Sequence, residues 1–277
     1  MSISSHSPPP PPPPISSLSV PKAITLMRDL SQMLCLSHEA YGTALTYFHQ
    51  YHSFMEKESI REYPHPSPFL LDDEVLAMAC VQLACKKTDA QRKIRDVINV
   101  AHFLLCPDQE PIDLGQHYWT LRDSISTAEL ILQRALHFHH NFELPFGWAL
   151  RVVKGLAAIG LLQERKAGKL SLTNGHNQTE SEEVKDIHPR CAAIAHLTWT
   201  FISDSLCLRE VSLSFNHKVI ALSCVYLALR AVEIDLPPPG NFNEWCAEWS
   251  EGEANPESVK SCTEIIIDMY KASQSPR

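Results

Sequence analysis

Apolar side chains recur every three or four positions over most of the chain, and short proline-rich or polar segments interrupt them. The first periodic segment, Lys22–Met33, has apolar residues at Ala23, Leu26, Met27 and Leu30. This spacing places them on one face of an α-helix. The same pattern predicts helices at about 38–52, 73–86, 94–105, 117–138, 146–162, 189–207, 216–232 and 256–272. Because no period-two strand pattern of any length occurs, the sequence predicts an all-α protein.

The interruptions between these helices indicate how the chain is divided. Glu62–Pro68 contains three prolines and is predicted to be a loop. Lys166–Lys185 is polar with a turn at Asn174-Gly175, and Pro237–Gly240 breaks the chain again. Pro145 separates two helical blocks of similar length. The predicted segments are an N-terminal tail (1–20), a first bundle (21–145), a second bundle (146–273) and a short C-terminal tail (274–277).

Two of the predicted helices resemble each other. Val75–Lys86 (VLAMACVQLACK) and Val219–Arg230 (VIALSCVYLALR) are identical at six of twelve positions. Each is apolar nearly all round and rich in small residues, as expected of a helix at the centre of a bundle. Downstream, Glu129-Leu-Ile-Leu resembles Glu264-Ile-Ile-Ile at a similar offset. The sequence therefore predicts two bundles of one design in tandem, although chance similarity between two core helices remains an alternative.

Residues 1–20 are of low complexity, with seven consecutive prolines at Pro8–Pro14 flanked by serine. Proline fixes φ and lacks an N–H donor, so we expect a polyproline II rod outside any core and a disordered tail around it. Two interpretations stay open for this run. It could be a ligand for an SH3, WW or profilin-type domain, or it could be a solvated tail.

Composition and charge narrow the function classes. The chain has 277 residues, 44% of them hydrophobic, and 24 basic against 32 acidic residues give a net charge of −8. This acidic balance disfavours duplex DNA and anionic membranes as partners of the whole chain. Neither GxGxxG nor GxxxxGK[ST] occurs, which disfavours the usual nucleotide-binding loops. No cofactor is expected.

The nine cysteines include no CxxC pair, and several stand in apolar runs. We expect them to be reduced thiols, mostly buried. The N-terminus lacks the basic and apolar regions of a secretory signal. These observations predict a nuclear or cytoplasmic protein.

Catalytic and metal-binding motifs are weak. His137, His139 and His140 cluster, and His49 and His52 are three apart, but HExxH does not occur. Adjacent His139 and His140 cannot both face one metal ion from a regular helix. GxSxG is also missing, and no cysteine has a recognisable activator. We therefore expect neither a metal site nor an enzyme.

Several motifs together resemble the cyclin family. Leu83-Ala84-Cys85-Lys86 resembles the LAxK signature of the cyclin box. Glu129, followed by Leu132, Leu136, Phe138 and Pro145, resembles a later helix of that box. The resemblance extends over residues 21–273 and implies tandem five-helix cyclin-box bundles.

This resemblance implies a function as a non-catalytic activator that binds a cyclin-dependent kinase as a heterodimer. Lys86 and Glu129 match the paired charges that anchor the kinase, and Leu83, Gln133 and Phe138 would flank them. Read from its own residues alone, Lys86 would be a solvated helix end and Glu129 a surface position. The main alternative within the fold is a tandem-bundle transcription factor of the TFIIB type, which would need extended basic surfaces.

One segment departs from the family pattern. After Lys86 most cyclins continue with an apolar residue and two acids, whereas Lys87-Thr88-Asp89 stands here. The resemblance implies that Lys87 and Asp89 also contact the kinase, although only Asp89 keeps an acid of the family pattern and Lys87 adds a positive charge. Lys86–Arg95 also contains five basic residues in ten. This cluster could meet an acidic kinase surface or a phosphate, or it could be a solvated loop.

Overall fold

The computed structural model describes residues 20–59, 69–158, 189–236 and 240–274, and its regular structure over these ranges is entirely helical. This confirms the all-α prediction. The predictions for Pro8–Pro14, 62–68, 166–185 and 275–277 lie outside the described residues. The helices are α1 (Val20–Met33), α2 (His38–Ser59), α3 (Asp73–Lys87), α4 (Ile94–Leu105), α5 (Gln116–Ala135), α6 (Pro145–Ala158), α7 (Pro189–Ser205), α8 (Arg209–Ser214), α9 (His217–Ala231), α10 (Phe242–Trp249) and α11 (Pro256–Gln274).

Helix α3 is the centre of the first bundle and packs against α1, α2, α4 and α5. Its ten consecutive residues Leu76–Cys85 are all buried. Three alanines and two cysteines in this stretch leave room for neighbouring helix backbones to approach closely. A helix surrounded by other helices must be apolar on every side, and this explains why the sequence of α3 has no polar face.

Helix α9 has the same place in the second bundle, where it packs against α6, α7 and α11. Residues Lys218–Val225 are buried without interruption. The two segments matched in the sequence, Val75–Lys86 and Val219–Arg230, thus form the two central helices. This supports the predicted tandem arrangement of bundles.

Helices α1, α2 and α3 run alternately up and down, so the first bundle has two distinct ends. At one end, Arg92 Nε before α4 donates to the Leu34 carbonyl after α1 at 3.0 Å. At the other end, His52 Nε2 on α2 lies 3.4 Å from Asp73 Oδ1 at the start of α3. We call these the Lys86 end, where α1 and α3 finish, and the Val20 end, where these two helices begin. The last residues of α5, Ala135 to His137, lie beside Gln50 and Phe54 in the second half of α2.

The two bundles contact each other through α1 and α2 on one side and through α7, α8 and the turn between them on the other. Tyr41 Oη lies 3.2 Å from Cys207 Sγ, and His49 Nε2 lies 3.1 Å from the Leu206 carbonyl oxygen. Burial raises the pKa of Tyr41 and lowers that of His49 to about 4, so both are neutral at pH 7. Both contacts are polar pairs in partly or fully buried surroundings. Such pairs must stay matched, and they therefore fix the position of one bundle against the other.

Two sequence predictions about helix ends are wrong. The predicted helix 117–138 ends at Ala135, because His137 and Phe138 have φ values of 50° and 58° and leave the helix. The Phe138 N–H donates to the Gln133 carbonyl at 2.9 Å, and the His137 N–H donates to Arg134, which is a Schellman motif. The predicted helix 189–207 ends at Ser205, and the short helix α8 after it was not predicted.

Non-glycine residues occupy the left-handed position after several helices. Cys35, Glu233 and Glu251 have φ values of 50°, 58° and 58°, like His137 after α5. Glycine is usual at this position because it has no Cβ to clash with the backbone. A chain with only nine glycines therefore ends helices with residues that strain the backbone. Sequence reasoning uses glycine as a signal that a helix stops, and it therefore did not locate these helix ends, which have other residues in that position.

Candidate functional site

Lys86 and Glu129 form an ion pair between the last turn of α3 and the middle of α5. Lys86 Nζ donates to Glu129 Oε1 at 2.9 Å and to Oε2 at 2.8 Å. The ammonium lies at the C-terminal end of α3, where the helix dipole favours a positive charge. The two residues are 43 positions apart in the chain, and the packing of α3 against α5 brings them together.

The two members of the pair differ in exposure. The Glu129 side chain is 9% exposed and the Lys86 side chain 51%. A carboxylate with so little access to water needs hydrogen-bond donors from the protein. Among the described residues, Lys86 is the donor to the Glu129 carboxylate. Each carboxylate oxygen can accept a second hydrogen bond, and the ammonium has a third proton to donate. The pair can therefore bind further polar groups at the surface.

The other predicted flanking residues lie on the same two helices. Leu83, buried, is one turn before Lys86 on α3. Gln133, half-buried, is one turn after Glu129 on α5, and Phe138 follows that helix with its side chain 64% exposed. Leu130, 59% exposed beside Glu129, was missed by sequence reasoning. Exposed apolar side chains beside a partly buried charged group are a common feature of protein interfaces.

Lys87 does not extend the charged pair outward. Its Nζ donates to the His140 carbonyl and lies 4.0 Å from the centre of the Phe142 ring. Burial lowers the pKa of Lys87. The side chain thereby ties the end of α3 to the segment before α6. Asp89, by contrast, is exposed with φ at 53° just beyond α3 and is accessible to a partner.

The compact basic cluster of the sequence is not a free positive surface. Lys86 and Lys87 have the intramolecular partners given above. Arg92 donates to four backbone carbonyls, including Leu34 at 3.0 Å. Of the five basic residues, Lys93 and Arg95 are the two whose side chains are exposed and make no such contact within the described part of the chain. The cluster is chiefly a brace between the α1–α2 and α3–α4 connections.

The histidines are engaged separately. His140 Nδ1 lies 3.0 Å from Tyr47 Oη, while His49 contacts Leu206 in the other bundle. Over the described ranges, no group of three His, Cys, Asp or Glu side chains has an arrangement that could hold a metal ion. All nine cysteines are free thiols, and burial raises the pKa of Cys80 and Cys224 well above the usual range. Those two thiols are protonated at pH 7 and are poor nucleophiles.

No helix in the described part of the chain is both long enough and apolar enough to cross a bilayer.

The chain is similar in sequence to several curated cyclins, although no protein-family model matches it. It is 24% identical to cyclin-K of Danio rerio over 256 residues, covering 90% of this chain and 48% of that protein. It is 27% identical to cyclin-L1 of Xenopus laevis, covering 84% of this chain and 39% of the relative. With cyclin-L1 of Gallus gallus the identity is 32%, and the shares are 71% and 31%. The chain thus spans less than half the length of these relatives.

Two solved structures resemble the fold. A chain of the yeast RNA Pol II CTD kinase CTDK-1 complex matches with a TM-score of 0.59 at 14% identity, covering 91% of this chain and 66% of that one. A chain of the CAK complex from Chaetomium thermophilum bound to ATP-gamma-S matches with a TM-score of 0.56 at 14% identity, with shares of 90% and 62%. At this identity the likeness shows the fold, which is the tandem-bundle architecture described above.

Proposed function

From its relationship to cyclins K and L and its tandem-bundle cyclin fold, we propose that this chain is a non-catalytic subunit that binds and activates a cyclin-dependent kinase. The proposed binding surface is the Lys86 end of the first bundle. The observation that carries the proposal is the pair of Lys86 and Glu129, held together by the packing of α3 on α5 with unused hydrogen-bonding capacity.

The pair suits this role because it is already formed in the free chain. Glu129 is fixed by its burial and by Lys86, so little side-chain entropy is lost when a partner binds. The ammonium can donate to backbone carbonyls of the kinase, and the carboxylate can accept from its N–H groups. Leu130 and Phe138 add exposed apolar area on or beside α5. Such a surface would hold the kinase helix that carries the glutamate of the catalytic Lys–Glu ion pair.

A finer proposal concerns the branch of the family and the kinase. Ile94–Val100, Tyr118–Ile125 and Leu206–Arg209 resemble the corresponding stretches of cyclin Q, also called cyclin M. The third stretch supplies contacts between the bundles, since Arg209 pairs with Glu56 and the Leu206 carbonyl faces His49. The kinase that this resemblance implies is cyclin-dependent kinase 10, and the proposed location is the nucleus, the cytoplasm or both.

Affinity purification from cells tests the proposal. We expect a cyclin-dependent kinase to co-purify with the tagged wild-type chain and to be depleted at least tenfold with the Lys86→Ala/Glu129→Ala variant. The matched control is Lys93→Ala/Arg95→Ala, which removes two exposed charges from the neighbouring basic segment. Equal recovery of the kinase with both double variants would place the binding surface elsewhere. Recovery of no kinase with the wild-type chain would contradict the proposed function itself.

A further inference from the structure

The connection between α5 and α6, residues 136–144, begins with a strained turn that carries Phe138. His137 and Phe138 have φ values of 50° and 58°. The left-handed conformation is unfavourable for residues with a Cβ, and two in succession persist only where the surrounding structure holds them. The Phe138 side chain is 64% exposed, the highest value for a Phe or Trp among the described residues. The position of this ring therefore depends on what holds the connection.

On its α5 side, the turn is held by α2 and by α5 itself. The His137 ring meets the Phe54 ring of α2 edge to face, with ring centres 6.0 Å apart. The Phe138 N–H donates to the Gln133 carbonyl of α5 at 2.9 Å. These contacts fix where the turn begins, and the backbone beyond Phe138 needs a second anchor.

That second anchor joins Lys87 and Tyr47 of the first bundle to His140 and Phe142 of the connection. Lys87 Nζ donates to the His140 carbonyl and lies 4.0 Å from the centre of the Phe142 ring. Tyr47 Oη lies 3.0 Å from His140 Nδ1, and the Tyr47 ring meets the Phe142 ring edge to face at 5.5 Å. Hydrogen bonds from a charged donor are stronger than neutral ones, and the ring face adds a cation–π contact. The Lys87 ammonium is therefore the strongest link of the anchor.

Two neighbouring lysines in the last turn of α3 thus have different partners. Lys86 pairs with Glu129 in the middle of α5, and Lys87 holds the connection two residues beyond Phe138. We propose that Lys87 is a positioning residue, whose ammonium holds the connection so that Phe138 is presented to the kinase. Lys87 then acts on binding through Phe138 and does not itself touch the kinase. This inference rests on the proposed function, because it counts Phe138 as part of the kinase-binding surface.

Hydrogen exchange of the free chain tests the anchor without a kinase. The amides of Phe138 and His139 donate to backbone carbonyls within the turn. Their exchange should accelerate by about tenfold in Lys87→Met, which keeps the aliphatic stem, because the turn can open once its second anchor is lost. Lys87→Arg keeps a charged donor and should restore most of the protection. The matched control is Lys93→Met, which removes an exposed lysine just before α4 and should change neither amide.

The amides of α3 and of the middle of α5 should keep their exchange rates in Lys87→Met. Unchanged exchange at Phe138 and His139 would overturn the proposal. Equal acceleration throughout α3 and α5 would also overturn it, because the substitution would then loosen the whole bundle and not the connection.

Kinase binding tests whether the anchor acts through Phe138. The affinity of the purified chain would be measured for the kinase recovered by affinity purification. Lys87→Met should raise the Kd by about fivefold, because a mobile turn must be ordered again when the kinase binds. In the Phe138→Ala background the same substitution should raise the Kd by less than about twofold. Equal losses in both backgrounds would show a direct contact of Lys87 with the kinase and would overturn the proposal, as would an unchanged Kd in Lys87→Met.

Tyr47 allows the anchor to be weakened at a place that no partner can touch, because its side chain is 0% exposed. Tyr47→Phe removes the hydroxyl that meets His140 and keeps the ring against Phe142. It should accelerate exchange at Phe138 and raise the Kd by about two- to threefold, again only while Phe138 is present. Unchanged exchange and Kd in this variant would contradict the proposal. If the wild-type chain binds no cyclin-dependent kinase, the proposed function fails, whereas the exchange rates still decide whether Lys87 holds the connection.

Discussion

Removing the ammonium of Lys86 while keeping its aliphatic stem should destabilise the free chain. In Lys86→Met the Glu129 carboxylate, 9% exposed, loses its donor of two hydrogen bonds. An unsatisfied buried polar group costs about 1–3 kcal/mol, and breaking a fully buried ion pair costs about 3–5 kcal/mol. Lys86 is half-exposed, so water can partly replace it. We therefore expect the free energy of unfolding to fall by about 2 kcal/mol.

The partner substitution should cost less, and the two effects should not add. Glu129→Gln keeps a hydrogen-bonding side chain in the buried position and leaves an ammonium that water can solvate, so we expect a loss of about 1 kcal/mol. In the double variant neither charge remains unpaired. A double-mutant cycle should then give a coupling of about 1 kcal/mol between the two residues.

Urea unfolding followed by far-ultraviolet circular dichroism measures these free energies. Lys93→Met is the matched control, because it removes an exposed lysine from the same basic segment and should change the free energy by less than about 0.5 kcal/mol. If the two effects add within about 0.3 kcal/mol, or if Lys86→Met behaves like Lys93→Met, the pair is not coupled in solution. The argument for a preformed binding site would then fail.

Three further predictions concern packing, backbone strain and protonation. Gly155→Ala should destabilise the chain by about 1–2 kcal/mol in urea unfolding, because its Cβ would clash with Trp249 Cζ3. Gly147→Ala in the same helix meets nothing within 4 Å and should not destabilise it. Glu233→Gly should raise the thermal midpoint by relieving a φ of 58°, whereas Glu233→Ala should not. The pKa of His49 is about 4 in the native state, so between about pH 6.5 and pH 4 this histidine is protonated in the unfolded chain but not in the folded one. The free energy of unfolding should therefore fall by about 2–3 kcal/mol as the pH drops through this range, and it should fall less in His49→Gln.

Each of these three has an outcome that contradicts it. Equal effects of Gly155→Ala and Gly147→Ala would mean that the Trp249 ring moves aside freely. Stabilisation by Glu233→Ala as large as by Glu233→Gly would mean that strain at this position is negligible. A pH slope that survives His49→Gln unchanged would assign the acid sensitivity to other groups.

The hydrophobic pattern predicted those helices well that pack against neighbouring helices on all sides or on one clearly apolar face. The predicted helix 94–105 matches α4 at both ends, and the match between Val75–Lys86 and Val219–Arg230 identified both central helices. Such helices form because their apolar faces become buried, and the spacing of apolar residues along the sequence shows which faces these are. Helix ends were harder to predict. His137 ends α5 in a left-handed conformation, and nothing about a histidine in the sequence indicates that conformation.

The candidate site could be predicted in part. The resemblance identified Lys86 and Glu129 as a pair, and the structure places their side chains in contact. The sequence could not show that Lys87 turns back to the His140 carbonyl and Phe142, or that Arg92 braces four backbone carbonyls. Both depend on contacts with distant segments, which local composition does not encode. A cluster of basic residues therefore looked like one surface, although its members have different partners.

The most direct test of the proposed function is kinase activity in a reconstituted system. The purified chain would be mixed with purified cyclin-dependent kinase 10, and with other cyclin-dependent kinases in parallel, and phosphate transfer to a peptide substrate would be measured. We expect no activity from the chain alone and a rise of at least tenfold when it is added to its kinase. The Lys86→Ala/Glu129→Ala variant should need a much higher concentration for the same effect. Failure of the wild-type chain to bind or activate any of these kinases would contradict the central claim.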